Sequence, residues 1–233
     1  MTANPLDQAS ARELCDALRE FDAATLSNAI ESFDVRDRTI GFASKEVACC
    51  YPELGSMVGF AVTCTVDTTT PGPRRPTRLS DLIALVEAAP KPAIVVCQYV
   101  GKDPSRGCFA GDMVVTLLQR LGAVGIVTDA PNRDVQMIQQ RAPGFHLFGS
   151  GKVASHGNGA IEGVNLTVDI GGLVVRPGDL LHGDVNGLIS IPLEIAAELP
   201  GRARQVLAEE QQLVDLMRDP AADIALIKAR FLH

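Results

Sequence analysis

Apolar and polar residues alternate along this chain in two rhythms, and each change of rhythm marks an element. Residues 10–32 have apolar positions at helical spacing. Ser10 is placed to cap "ARELCDALREF", and Asp22 or Thr25 to start a second helix, "ATLSNAIESF". "GSMVGFAVTCTVDT" (55–68) switches to small and β-branched residues with period two, which predicts a strand. The Pro-rich, basic "TTPGPRRPT" then reads as an exposed loop. Ser80 is expected to cap "DLIALVEAA", whose first-turn acid suits the helix dipole. "KPAIVVCQYV" (91–100) is an unbroken apolar run of strand length, expected to be buried on both faces.

"DMVVTLLQRLG" returns to helical spacing and ends on Gly122, a good C-cap residue. "AVGIVTD" (123–129) predicts another buried strand, "APNR" a loop, "DVQMIQQRA" a short helix and "FHLFGSG" a strand. Residues 93–151 therefore read β-α-β-α-β, the signature of parallel strands joined by crossover helices. "GVNLTVDIGGLVVRPGDLLHGDVNGLISIP" differs: its Gly-Gly, Pro-Gly-Asp and Asn-Gly turns are hairpin chemistry. From Pro192 the pattern is helical again, interrupted near Pro200. The sum is a mixed α/β fold with an added antiparallel layer. It forms one domain over 1–233, with its core at about 20–195 and C-terminal helices over 193–233.

Composition narrows the function classes. The chain has no Trp and few aromatics, so the core is aliphatic. A net charge of -7 and the lack of a basic-aromatic cluster argue against nucleic acid as partner. No apolar run reaches the roughly 18 to 20 residues of a membrane span, and the charged N-terminus is no signal peptide. Six cysteines without C-x-x-C spacing fit a cytoplasmic protein with reduced thiols.

Candidate chemistry lies in "GDMVVTLLQRLGAVGIVTDAPNRDVQ", where twenty residues separate Asp112 from Arg133-Asp134. About eleven helical residues cover roughly 16 Å, and about six strand residues return roughly 20 Å. Both ends therefore meet at the carboxyl edge of the sheet, where open α/β folds bind ligands. Free N–H groups of Gly111, Asp112, Met113 and Val114 would form an anion site, and Gly111 allows close approach. Arg133 offers a cationic fork for a carboxylate or enolate oxygen. Asp134 and Asp112 are hard oxygen donors suited to Mg²⁺ or Mn²⁺. Pattern alone leaves another reading open: an Asp at a helix start commonly caps it, and a loop Arg-Asp is commonly solvated or forms a local ion pair.

The acid-x20-Arg-Asp element, with "ATLSNAIESF", "GSMVGFAVTC" and "VRPGDLLHGDVNGLISIP", resembles the RraA-like family over roughly residues 20–215. That family includes divalent-metal-dependent 4-hydroxy-4-methyl-2-oxoglutarate aldolases and the regulator of ribonuclease activity A. The resemblance implies a compact β/β/α sandwich, similar to the swivelling phosphohistidine domain, with flanking helices. It also implies trimers or hexamers in which the C-terminal helices make subunit contacts. Asp134 would be the direct ligand of Mg²⁺ (or Mn²⁺), with Asp112 reaching the ion through water. Arg133 would contact the 2-oxo oxygen, and the N–H groups from Gly111 through Val114 the carboxylate. Glu209 or Glu210 would approach from a neighbouring subunit. The chain departs from the family's common pattern at Asn28, in "CFAGDMV" and in the loops "TTTPGPRRPTR" and "GSGKVASHGNGAIEGVNL".

The expected function is a class II pyruvate aldolase that cleaves a 4-hydroxy-2-oxo acid, with oxaloacetate decarboxylation through the same enolate. The alternatives are a protein-binding regulator of an endoribonuclease, or a lyase or hydratase acting on another oxo acid. Arg106 in "KDPSRG" is the candidate for a distal carboxylate, ahead of His156. His146 and His182 share no ligand spacing and read as structural, adjacent Cys49 and Cys50 as packing. Lys45 and Lys152 lack a Schiff-base setting.

Overall fold

The structure, a computed structural model, describes residues 7–73 and 76–231; Arg74 and Arg75 of the basic loop lie outside the described residues, as do residues 1–6 of the N-terminus. Two helices come first, α1 (Gln8–Arg19) and α2 (Ala23–Glu31). Asp7, not Ser10, caps α1: its carboxylate accepts the Ser10 N–H, because Ser10 already lies inside the first turn. Asp22 caps α2 through the Thr25 N–H, as expected.

After the short β1 (Ala48–Cys49), β2 (Met57–Asp67) has every side chain buried. The chain continues through α3 (Leu79–Ala88), β3 (Ala93–Tyr99), α4 (Asp112–Arg120), β4 (Ala123–Thr128), α5 (Val135–Arg141) and β5 (His146–Gly149). Strands β2, β3, β4 and β5 pair in parallel, so the β-α-β-α-β pattern holds and β2 extends it by one unit. Ser80 does not cap α3. The helix starts one residue earlier, at Leu79, with no side-chain cap, and packing of Leu82 and Val86 holds it instead.

The strands β6 (Ala160–Val164), β7 (Val168–Ile170), β8 (Leu173–Val175), β9 (Leu180–Asp184) and β10 (Gly187–Ile191) pair antiparallel, as the turn residues predict. The large sheet runs β1-β5-β4-β3-β2-β9-β10. β2 is long enough to pair with β9 over its first half and β6 over its second. The helical stretch expected from Pro192 begins later. Residues 193–198 form turns, and α6 (Leu199–Arg218) starts with Pro200 in its first turn, where a missing N–H costs no hydrogen bond. α7 (Ile224–Phe231) follows.

Alternation along β2 divides the core. Val62, Cys64 and Val66 share a cluster with Leu82 of α3 and Val115 and Leu118 of α4. Val58 and Phe60 join Leu18, Leu26 and Leu199 from α1, α2 and α6. Met57 and Ala61, on the opposite face, pack with Val168, Ile170, Leu173 and Val175 of the β7–β8 hairpin. Helices thus cover one face of the sheet and a hairpin part of the other. Two histidines are built into this core. His182 Nε2 lies 3.0 Å from the Phe21 carbonyl, and the Nδ1 of both His146 and His182 is buried without a partner among the described residues.

Leu118 carries the weight of α4 on the sheet and is fully buried. Leu118→Ala is expected to cost about 2–5 kcal/mol of unfolding free energy, read by urea denaturation. Burial, with the charge of Arg19 adding, pulls His146 from 6.5 down to about 4. Between those values the unfolded chain binds more protons, so this stabilisation is full above pH 6.5 and is lost as pH falls toward 4. His182, also lowered by burial, adds in the same direction. His146→Leu should therefore reduce the fall of the urea midpoint over that window by the part due to His146.

Candidate functional site

Helix α4 leaves the carboxyl edge of the sheet at Gly111, and β4 returns to it before Arg133 and Asp134. The two ends meet. Asp134 Oδ2 accepts the Arg133 Nε–H at 3.0 Å and the Asp112 backbone N–H at 3.4 Å. A Cβ on Gly111 would sit 2.7 Å from that same oxygen, so only glycine leaves the carboxylate its place. Asp134 adopts a left-handed backbone (φ 53°), which a non-glycine residue takes at some cost. It stands at the N-cap position of α5 but makes no capping bond to that helix; the side chain turns to α4 instead. Asp112 is likewise no cap, since Gly111 holds the cap position of α4. Asp112 is therefore not the ordinary cap, whereas Arg133 and Asp134 do form the local ion pair that the pattern alone allows.

Arg133 is held at two points, Nε by Asp134 and Nη1 by the Ser155 carbonyl at 2.9 Å. Burial works against ionisation of Asp134, but the Arg133 hydrogen bond, the Asp112 N–H and the guanidinium charge outweigh it. Together they hold the carboxyl below its usual range. Asp112 Oδ2 is paired with Arg141 of α5, whose guanidinium is half exposed whereas the Asp112 side chain is 15% exposed. The Asp112 N–H, expected in the anion cradle, is instead aimed at Asp134, which leaves Met113 and Val114 to supply the first-turn N–H groups. Met113 contributes backbone only, its side chain being 78% exposed, whereas Val114 is partly buried against the core.

The carboxylate contacts fall on Oδ2 of each Asp, so Oδ1 of Asp112 and Oδ1 of Asp134 remain as hard donors for a cation. Among the described residues no three His, Cys, Asp or Glu side chains gather closely enough to enclose a metal. The donor set fits an ion such as Mg²⁺, which keeps several waters and needs one or two carboxylates.

Two cavities flank Arg133. One, of about 260 Å³, is also lined by Val114, Cys108 and His156. The other, an open groove of about 450 Å³, is lined by Asn132, Asp134 and Lys152. Arg106 lines a third cavity with Thr68, Thr69 and Ser155, is largely exposed, and lies 3.9 Å from Asp103. Glu209 and Glu210 are not brought to this edge within the chain. They lie on α6, where Glu209 accepts from Gln205 and Arg202, and Glu210 from Asn28 of α2.

Sequence reasoning missed Arg141, Ser155 and Cys108. Arg141 follows Asp134 by two helical turns in a last turn where a cation is expected, which is the one available signal. Ser155 acts through its backbone carbonyl, which accepts from both Arg133 and the Cys108 thiol. No side-chain pattern announces that.

A family model described as RraA-like, Aldolase/RraA, matches residues 12–190. A protein of Halalkalibacterium halodurans, named provisionally as a 4-hydroxy-4-methyl-2-oxoglutarate aldolase, is 28% identical over 66% of this chain and 72% of its own length. The crystal structure of Streptomyces coelicolor RraAS2, described as an unusual member of the RNase ES inhibitor RraA family, matches with TM-score 0.64 and 26% identity. It covers 88% of this chain and 98% of that one. An uncharacterized protein from Pseudomonas syringae pv. tomato matches over 100% of both chains with TM-score 0.69 at 21% identity, a likeness of fold.

Gly111→Ala tests the packing of this site. The added methyl should push the Asp134 carboxylate off the α4 N-terminus, and its pKa, followed by NMR, should rise toward the free value of about 3.9. An unchanged pKa would mean that the carboxylate is held elsewhere.

Proposed function

The chain belongs to the RraA-like family, and on that premise we propose that it is a cytoplasmic, divalent-metal-dependent class II pyruvate aldolase acting on a 4-hydroxy-2-oxo acid. One observation carries this reading: Arg133, Asp134, Asp112 and the first-turn N–H groups of α4 converge at one sheet edge, with neither acid used as a cap. The provisional name of the Halalkalibacterium halodurans relative supports the same class.

The substrate carboxylate is bound by the N–H groups of Met113 and Val114 at the positive end of the α4 dipole. Arg133, immobilised by Asp134 and the Ser155 carbonyl, presents its remaining N–H groups to the 2-oxo oxygen. Asp134 would hold the ion directly and Asp112 would hold it through water. When bound, Mg²⁺ (or Mn²⁺) supplies Lewis-acid polarisation of the 2-oxo group. Asp112 receives the 4-hydroxyl proton through an intervening water. The C3–C4 electron pair then moves onto C3, a carbonyl fragment departs, and pyruvate enolate remains. Arg133 balances the charge on the enolate oxygen until C3 is protonated. Oxaloacetate decarboxylation passes through the same enolate. We further assign α6 and α7 to subunit contacts in a trimer or hexamer, with Glu209 or Glu210 offered to a neighbouring site.

A second reading, protein-binding inhibition of an endoribonuclease, follows from the description of the Streptomyces coelicolor relative. A pyruvate-release assay over a panel of 4-hydroxy-2-oxo acids and oxaloacetate, with Mg²⁺ or Mn²⁺, separates the two. Arg133→Ala and Asp134→Ala should each lower turnover by at least about two orders of magnitude. Full turnover in EDTA would overturn the metal requirement, and no release from any substrate would favour the inhibitor.

A further inference from the structure

The cavity of about 260 Å³ beside Arg133 has a chemical character that the pyruvoyl site does not explain. Its walls are the side chains of Val66, Leu79, Phe109, Val114 and Ile161, from β2, α3, the loop before α4, α4 itself and β6. Val66 and Ile161 are fully buried core residues, brought opposite each other by the register shift between Thr65 and Val66 in the β2–β6 pairing. Such irregularities re-aim side chains beside functional sites. Leu79, Phe109 and Val114 pack against the same core while keeping part of their surface open.

Polar groups on the wall are already engaged. Thr77 Oγ1 accepts the Ile161 N–H at 3.1 Å, Asn158 Nδ2 donates to the Gly72 carbonyl at 3.1 Å, and the Cys108 thiol donates to the Ser155 carbonyl at 3.2 Å. Among the described residues, Arg133 and His156 are the only cationic or imidazole side chains lining the cavity, and Arg133 is already assigned to the pyruvoyl group. Arg106 belongs to the neighbouring cavity and lies 3.9 Å from Asp103, and Arg78, between the lining residues Thr77 and Leu79, is paired with Asp81 at 2.8 Å. Apart from the exposed His156 ring, whose Nδ1 already lies 3.3 Å from the Gly157 carbonyl, a second carboxylate placed here would meet no side-chain partner to replace the hydration it gives up, which is costly. An apolar group would gain from leaving water. The volume is ample, since an apolar cavity of roughly 150 Å³ holds benzene.

We infer that this cavity is the subsite for an apolar branched-alkyl or aryl substituent on the C4 side of the 2-oxo acid, so that the chain selects hydrophobic 2-oxo acids over dicarboxylic ones. The inference rests on the pyruvoyl site described above, and it moves the distal-group role away from Arg106. Both Val114 and Arg133 line the cavity, so a ligand held at the α4 N-terminus has its tail at the mouth.

Binding is measured by calorimetry on the whole chain with Mg²⁺, using two ligands that cannot be cleaved, 2-oxo-4-phenylbutanoate and 2-oxoglutarate. The phenyl compound should bind at least about tenfold more tightly, the scale on which a hydrophobic pocket discriminates. Leu79→Gln and Phe109→Gln should each erode that ratio by roughly tenfold while leaving 2-oxoglutarate affinity unchanged. Equal binding, or tighter binding of 2-oxoglutarate, overturns the apolar subsite, as does an equal effect of both substitutions on both ligands. Pyruvate release from 4-hydroxy-2-oxo-4-phenylbutanoate is assayed separately. Preference in binding with no pyruvate release from this compound or from any member of the panel supports the subsite and overturns only the aldolase reading.

Discussion

Asp134 Oδ2 accepts two hydrogen bonds, one from Arg133 Nε and one from the α4 N-terminus, and so joins the end of one strand–helix unit to the start of another. Everything the site offers depends on that one oxygen. It pins the guanidinium, it requires glycine at position 111, and it goes with a left-handed backbone at Asp134, which aspartate tolerates better than most non-glycine residues. The cost of that conformation is met by a charge-assisted bond to Arg133 in a partly desolvated setting.

The sheet supplies the rigidity this arrangement needs. Four parallel strands end at one edge, and their carboxyl-terminal residues spend their polar groups on holding loops. Asp67 accepts the Thr69 and Thr70 N–H groups, and Asp129, kept above its usual range by burial, accepts the Tyr99 N–H. The Tyr99 hydroxyl reaches Thr69 and the Thr68 N–H. The 150–159 segment is secured the same way. It pairs with Asn132 through backbone bonds to Gly151 and Val153, and Ser155 bridges Arg133 and Cys108. Fixed loops around a fixed arginine make a pocket whose lining can be read as specificity.

Much of this was legible beforehand, and the reason differs from element to element. The strands β3 and β4 announce themselves because burial on both faces demands unbroken apolar runs, and β2 through its small and β-branched residues. The meeting of Asp112 with Arg133 and Asp134 was legible because a helix out and a strand back have fixed rises per residue. Helix starts were less so: Ser10 and Ser80 looked like caps, yet Asp7 took the first position and packing alone set the second. Capping is a contest between nearby polar residues worth about 1 kcal/mol, and burial of Leu82 and Val86 outweighs it.

By itself, then, the sequence determined what periodicity and chain geometry control: which segments are strands or helices, that they alternate into a parallel sheet, and that one acid and one Arg-Asp pair share an edge. Only the tertiary structure decided which atoms those residues use. Arg141 reaches Asp112 from the next helix, a backbone carbonyl at Ser155 holds Arg133, and side chains from three separate elements, Val66, Phe109 and Ile161, close one apolar cavity. These contacts join residues far apart in the chain or act through main-chain atoms every residue shares. Local pattern carries no record of either.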